Sequence, residues 1–345
     1  MQNLNRFGIL TFWLIMIILA LSACLDQPKV NNSNANPKTD LTTEIARLSN
    51  KIINDSLNAS LYNGRAQLYI KAEKLNDALS DVNKAMALDT KMPAAYITLS
   101  DIYLLQGKPG NALGALRKSI AIDIKYVEAY IKLAKLYLIM KDYPKTSENI
   151  NKALNLEPGN AQAYFLKGFV LEENGDTNKA IESYQKAVAL NQQYYEAFMQ
   201  LGSLYSKQKS TLAAGYFNSA LNIQPESNEA LYMLGMFYQE NDLPDQALGI
   251  YKRMISLDST DKIAYFNSGY VKLVYLKKFK EGADNFSKAI QLDPAYKDAY
   301  FNRGYCYELM GDALKARADY EKVLKISPND PNAITGLNRL DKSIP

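Results

Sequence analysis

The chain contains no histidine in its 345 residues. Histidine triads, histidine general bases and histidine metal ligands are therefore excluded together. Cysteine is almost as scarce: Cys24 and Cys306 are the only two. Neither sign of charge is in excess, since 40 Lys and Arg against 36 Asp and Glu leave a net charge of +4. The two signs are interspersed, which leaves no nucleic-acid footprint. There is no glycine-rich phosphate loop and no nucleophile elbow. Glu172-Glu173 is the one pair of adjacent acids that invites an acid–base reading, and its place at the end of a helical pattern makes it a solvated face. Asp142, Asp176 and Asp312 follow turn residues and read as helix caps rather than metal ligands. The expectation is a protein with no cofactor, no metal and no catalytic residues.

What is present is a repeat. Hydrophobic residues make up 48% of the chain, enough for a continuous core. Number the stretch 297–330 from 1 to 34. Tyr300 falls at position 4, Gly304 at 8 and Tyr307 at 11, on one face of a helix. Ala316, Tyr320 and Val323 fall at 20, 24 and 27, on one face of a second helix. Gly311-Asp312 between them stops one helix and caps the next, and Pro328 closes the unit. This pattern resembles the tetratricopeptide repeat, which has the same period of about 34 residues. The resemblance implies an all-α fold: a right-handed superhelical solenoid of helix-turn-helix units.

Eight such repeats begin at residues 59, 93, 127, 161, 195, 228, 262 and 297. Position 8 is always small, running Ala66, Ser100, Ala134, Gly168, Gly202, Gly235, Gly269, Gly304, as a close crossing of helices A and B requires. Alanine recurs at position 27 as Ala85, Ala153, Ala187, Ala220 and Ala289. Two repeats depart from the period. The fifth lacks one residue around 207–210, and the seventh has one extra between Gly269 and Ala289, with Lys272 where tyrosine is expected. Both changes are expected in the turns between helices. Residues 41–58 carry Ile45, Leu48, Ile52 and Ile53 at helical spacing and form an N-terminal capping helix. The eight repeats occupy 59–330, and 331–345 form a C-terminal capping helix and tail.

The chain start is of another kind. One charge, Arg6, precedes an apolar run at residues 7–20, followed by Leu21-Ser22-Ala23-Cys24. That order is a secretory signal, and the last four residues resemble the lipobox of bacterial lipoproteins. The resemblance implies a signal peptide at 1–23, cleavage before Cys24 and acylation of Cys24. Residues 7–23 also approach the minimum of about 17 for a spanning helix, so an uncleaved anchor stands as the second reading. Residues 24–40 are poor in apolar side chains and form a lipidated, disordered tether. Leu25 after the cysteine favours, by resemblance, an outer-membrane protein facing the periplasm of a bacterial cell envelope.

In the family that the repeats resemble, helix-A positions 2, 5, 9, 12 and 13 line a concave groove for partner proteins or peptides. The resemblance implies a protein-binding groove here of Phe165, Met199, Tyr232, Phe266 and Phe301 at position 5, and Phe169, Met236, Tyr270 and Tyr305 at position 9. Two alternatives stand beside it. The position-5 residues also fit as packing between repeats, and residues 331–345 could fold back to fill the groove. A carboxylate clamp of the kind some relatives use is absent, because its places hold Asn63, Gln67, Ile97 and Asp101. Cys306 sits at position 10, which is apolar in every other repeat, so it reads as a small buried hydrophobe. Taken together, the expectation is a lipid-anchored, non-enzymatic scaffold for partner peptides or helices in the envelope. The rival is an envelope enzyme or carbohydrate-handling protein supported by the repeats, and self-association is a further possibility.

Overall fold

Every repeat start read from the sequence is the first residue of a helix. The computed structural model describes residues 37–342, with side chains from residue 41. The signal peptide, Cys24, most of the tether and the last three residues lie outside the described residues. Two compact units divide the chain, one reaching to Asn174 and the other starting at Gly175. The first holds α1 (Pro37–Asn54), α2 (Ala59–Lys71), α3 (Leu75–Leu88), α4 (Pro93–Leu105), α5 (Pro109–Ile122), α6 (Val127–Ile139), α7 (Tyr143–Leu156) and α8 (Ala161–Glu173). The second holds α9 (Thr177–Leu190), α10 (Tyr195–Lys207), α11 (Leu212–Ile223), α12 (Asn228–Glu240), α13 (Pro244–Leu257), α14 (Lys262–Val274), α15 (Phe279–Leu292), α16 (Lys297–Leu309), α17 (Ala313–Ile326) and α18 (Pro331–Lys342). Among the described residues there is no strand. Each unit is an all-α repeat solenoid in which a helix packs mainly on its neighbours in the chain.

The first helix begins four residues before the expected 41, with Pro37 opening its first turn, a place where the missing N–H of proline costs nothing. Several later helices start on side-chain caps, while others, α3, α4 and α5 among them, have none. Asn160 accepts from the Ala163 N–H, Ser227 from the Ala230 N–H, and Asp142, Asp176 and Asp312 from the N–H three residues on. The three aspartates are therefore caps, as their turn positions implied.

Each A–B turn contains one residue with left-handed backbone. Glycine supplies it at Gly107, Gly175 and Gly311, with φ of 70°, 81° and 79°. The other five turns place Glu73, Lys141, Lys209, Asp242 and Lys277 there, at φ between 54° and 59°. The turn in the last repeat shows the reason: the N–H of Asp312 reaches back to Tyr307 O at 2.9 Å, closing the helix C-terminus. A side chain in this region costs about 1–2 kcal/mol. Lys141→Gly is accordingly expected to raise stability by roughly 1 kcal/mol, read as an upward shift of the thermal midpoint. Lys118→Gly, inside α5, should lower it.

The two irregular repeats absorb their changes differently. In the seventh, the extra residue lengthens the turn after α14, where Lys278 N–H bonds Lys272 O at 2.8 Å. In the fifth, the missing residue is not taken from the turn. Helix α11 is shortened to 12 residues while its counterparts keep 14, which corrects the expectation of an altered turn alone. The four-residue spacing from helix B to the next helix A is kept throughout, so register is restored at once.

Packing at the A–B crossing is an exchange of volume between positions 8 and 24. Where position 8 is Gly202, Gly235, Gly269 or Gly304, position 24 is Phe217, Tyr251, Phe286 or Tyr320, each 0% exposed. A methyl group added at Gly202 or Gly235 would lie 2.6 Å from a ring carbon of Phe217 or Tyr251. Where position 8 is Ala66, Ser100 or Ala134, position 24 is the aliphatic Val82, Leu116 or Ile150. The tyrosine hydroxyls also need partners once buried. Tyr251 Oη donates to Gln239 Oε1 at 3.1 Å and Tyr320 Oη to Glu308 Oε2 at 2.5 Å.

The first and last repeats share a half-buried clip between positions 7 and 23. Arg65 bonds Asp81 at 2.6 and 2.8 Å and reaches Ser49 Oγ at 2.9 Å. Arg303 bonds Asp319 at 2.8 and 2.7 Å and reaches Ser287 Oγ at 3.0 Å. Ser287 lies on the helix B of the preceding repeat, and Ser49 lies on α1. The N-terminal cap thus stands where a preceding helix B would. At the other end α18 packs on α16 and α17 as a ninth helix A, so residues 331–342 do not fold back along the repeats.

Candidate functional site: the helix-A faces

Helix A turns positions 5 and 9 to one side because four residues are just over one turn. In the first unit, α8 carries Phe165 and Phe169, both half-buried. Phe169 packs against the cluster that contains Ile131, Ala134, Leu138 and Val170. Earlier repeats offer polar groups there that are already engaged. Both Asp101 oxygens accept from Lys132 Nζ at 2.8 Å, and Gln67 reaches Thr98 Oγ1 at 3.4 Å. Asn63 is 5% exposed and its Oδ1 has no partner. The places of the absent clamp are thus tied up within the chain or turned inward.

In the second unit the position-5 side chains are edges of the core. Met199 is 7% exposed and belongs to the cluster of Leu231, Leu234 and Phe237. It offers no surface to a partner, which corrects its expected place in the groove. The shortened repeat does not change this, since Met199 lies on the full-length α10. Phe266 rests on Phe286 at 5.5 Å and on Tyr296 at 5.0 Å, and Phe301 on Tyr320 at 5.6 Å between ring centres. Tyr232 packs on the Leu231 cluster, and burial followed by the charge of Glu240 pushes its hydroxyl above the ordinary tyrosine range.

Position 9 keeps more freedom. Met236 Sδ lies 3.6 Å from Tyr251 Oη. Tyr270 meets Tyr275 edge-on at 6.5 Å. The Arg339 guanidinium of α18 lies 5.6 Å from the Tyr305 ring centre and bonds Glu308 at 2.6 and 2.8 Å. All three position-9 side chains are half-buried, with their inner atoms held and their outer atoms accessible. Position 2 holds Glu196, Glu229 and Asp298 in three repeats of this unit. Desolvation first and Glu196 second push the Glu229 carboxyl up.

Two features escaped the sequence pattern. Position 12 was expected to face a partner, but Gln239 and Glu308 there are spent on the buried tyrosines of position 24. Polarity at 12 coupled to tyrosine at 24 is the signal that would have found them. Position 6 in the last two repeats is asparagine, Asn267 and Asn302. Asn267 is 7% exposed and points its amide to Met236 Sδ at 4.0 Å.

Cys306 is 0% exposed and makes no disulfide. Burial pushes its thiol up to about 12, so the thiolate is scarce at neutral pH. With Cys24 replaced by serine, the folded chain is expected to be inert to a thiol-specific chromogenic reagent and to react fully once denatured. Fast labelling of the native protein would contradict this burial. Among the described residues no group of three His, Cys, Asp or Glu side chains could hold a metal ion, and no helix is long and apolar enough to cross a membrane.

Comparison with known proteins agrees with this architecture. Five family models described as tetratricopeptide or TPR repeat match residues 127–160, 149–182, 173–209, 229–259 and 298–330. The C-terminal part of a TPR repeat-containing protein from Cytophaga hutchinsonii has a solved structure that is 20% identical, with a TM-score of 0.61. That match covers 69% of this chain and 98% of the other. YrrB, a TPR protein described as having an unusual peptide-binding site, is 25% identical over 56% of this chain and 99% of its own, with a TM-score of 0.48. Among curated proteins, anaphase-promoting complex subunit 3 of Schizosaccharomyces pombe is 29% identical over 113 residues. The matched stretch covers 32% of this chain and only 17% of that protein.

Proposed function

From the premise that this chain is a tetratricopeptide-repeat protein, we propose that it is a non-enzymatic, lipid-anchored scaffold of a bacterial cell envelope. Its helix-A faces hold a partner peptide or helix. The observation that carries this reading is the row of position-9 side chains in the second unit: Met236, Tyr270 and Tyr305. Each is fixed from behind by a neighbour and open in front, so a partner pays little entropy to engage it. A few such aromatic anchors supply most of the affinity in an interface. Phe169 offers the same chemistry in the first unit. The position-5 aromatics act as a rigid base for them.

Anchoring rests on Leu21-Ser22-Ala23-Cys24 after the apolar run. Acylated Cys24 would hold the repeats at the outer membrane, facing the periplasm. A single acyl chain binds a membrane only marginally, so lasting attachment needs more than one. Replacement of Cys24 by serine is expected to move the chain out of the membrane fraction. Retention after a salt wash would favour the uncleaved helix at 7–23.

The test of the groove is affinity capture from detergent-solubilised envelopes with the wild type and with Tyr270→Ser/Tyr305→Ser. These two rings are half-exposed, and their loss leaves the position 8–24 packing intact. An envelope protein captured by the wild type and lost from the variant, with helicity unchanged, is the expected result. An identical set of partners would remove the helix-A faces from the reading.

A further inference from the structure

The helix-B side of the second unit carries a cavity of about 510 Å³ between α9 and α11. Its position has a cause in the repeat register. The residue before position 27 is lysine or arginine in seven of the eight repeats. Where its contacts are clearest, that cation lies over the ring at position 4. Lys152 Nζ stands 5.9 Å from the Tyr130 ring centre, and Lys322 Nζ 5.8 Å from that of Tyr300. In the fifth repeat the ring is Phe198 and the residue is Ser219. A hydroxymethyl group replaces the long cationic side chain, and both Phe198 and Ser219 line the cavity that opens.

The walls are preformed. Tyr216 stacks on Tyr205 with ring centres 5.3 Å apart and planes within 6°. Gln185 Nε2 ties both hydroxyls, at 3.1 Å to Tyr205 and 3.4 Å to Tyr216. Gln192, Gln193 and Asn222 complete the rim. No Asp, Glu, Lys, Arg or His lines the cavity. A phosphate, carboxylate or ammonium ligand would find no counter-charge there, and burying it unpaired is costly. Side-chain amides both donate and accept, which matches a hydroxyl group that does the same. Phe198 and Tyr216 supply apolar ring surface for the C–H face of a sugar.

We infer that this pocket binds a neutral saccharide of one or two rings, seated over Phe198 in the space that Ser219 vacates. The site is an open depression on the surface, so a sugar there would be covered on one face and keep the other in water. This site is separate from the helix-A faces, so it stands or falls independently of the peptide-binding reading.

The test is ligand-observed NMR and calorimetry on the full chain with three probes: chitotetraose, cellotetraose and maltotetraose. Ser219→Lys restores the long cation of the other seven repeats, lysine in six and Arg253 in the sixth, so the fold should tolerate it while the pocket fills. The wild type is expected to bind at least one probe below about 10 mM, and Ser219→Lys to weaken that binding roughly tenfold or more. Gln192→Ala/Gln193→Ala, at exposed rim positions, is expected to weaken it without changing the melting curve, and serves if Ser219→Lys does not fold. Tyr270→Ser/Tyr305→Ser should leave it unchanged. Absence of binding to all three probes, equal binding by the wild type and folded pocket variants, or Ser219-dependent binding of an uncharged Ser/Gly peptide in place of the sugars, would each overturn the inference.

Discussion

Tyr251→Ala is expected to lower stability by about 3–5 kcal/mol, the usual cost of emptying a large aromatic site in a core. The ring is 0% exposed and fills the space that Gly235 leaves at the A–B crossing of the sixth repeat. Its loss also orphans Gln239, which is 8% exposed and bonded to the tyrosine hydroxyl. The partner substitution makes the argument specific. Gly235→Ala alone should destabilise by about 1–3 kcal/mol through overpacking. Combining it with Tyr251→Leu recreates the alanine–aliphatic pair of the third repeat, Ala134 with Ile150. The double variant should then be more stable than the sum of the single losses predicts. Denaturant melts with hydrogen exchange on α12 and α13 would read this, since repeat arrays open locally. Strict additivity would refute volume exchange as the basis of the crossing.

Asp319→Ala should cost about 1–3 kcal/mol, because it leaves a half-buried cation without its partner. Arg303 lies between Tyr300 and Tyr307, at 5.5 and 5.9 Å from their ring centres. Hydrogen bonding to Asp319 comes first among the causes that raise its affinity for a proton. A guanidinium in that place cannot shed its charge to escape. The damage should be confined to the C-terminal end, where exchange protection of α16, α17 and α18 would fall while α2 and α3 keep theirs. Protection lost evenly across both units would argue against a local clip. The equivalent Asp81→Ala should act on α2, α3 and α1 by the same logic.

Much of this architecture was legible before any coordinates. The 34-residue period, the eight helix-A starts and the ninth at 331 follow from small and aromatic residues recurring at fixed offsets. Cys306 was assigned to the core by comparison with position 10 of the other repeats, and the aspartate caps by their place after turns. Less of the candidate site was legible. Met199 and Tyr232 occupy the same position in successive repeats, yet one is in the core and the other is half-exposed. Position 12 looked like a binding position and proved to be a partner for buried tyrosines. The pocket over Phe198 arises from a serine that no motif marks.

What the sequence by itself determined, then, is the periodic part: which segments are helices, where they start, and that they stack with their chain neighbours. Helix formation and capping depend on residues within a few positions of each other, and those offsets are written in the chain. The tertiary structure decided how volume is shared across each crossing, which polar groups are spent inside, and where a missing lysine leaves a cavity. Those outcomes depend on side chains 12 or more residues apart competing for one space, and local periodicity does not encode that competition.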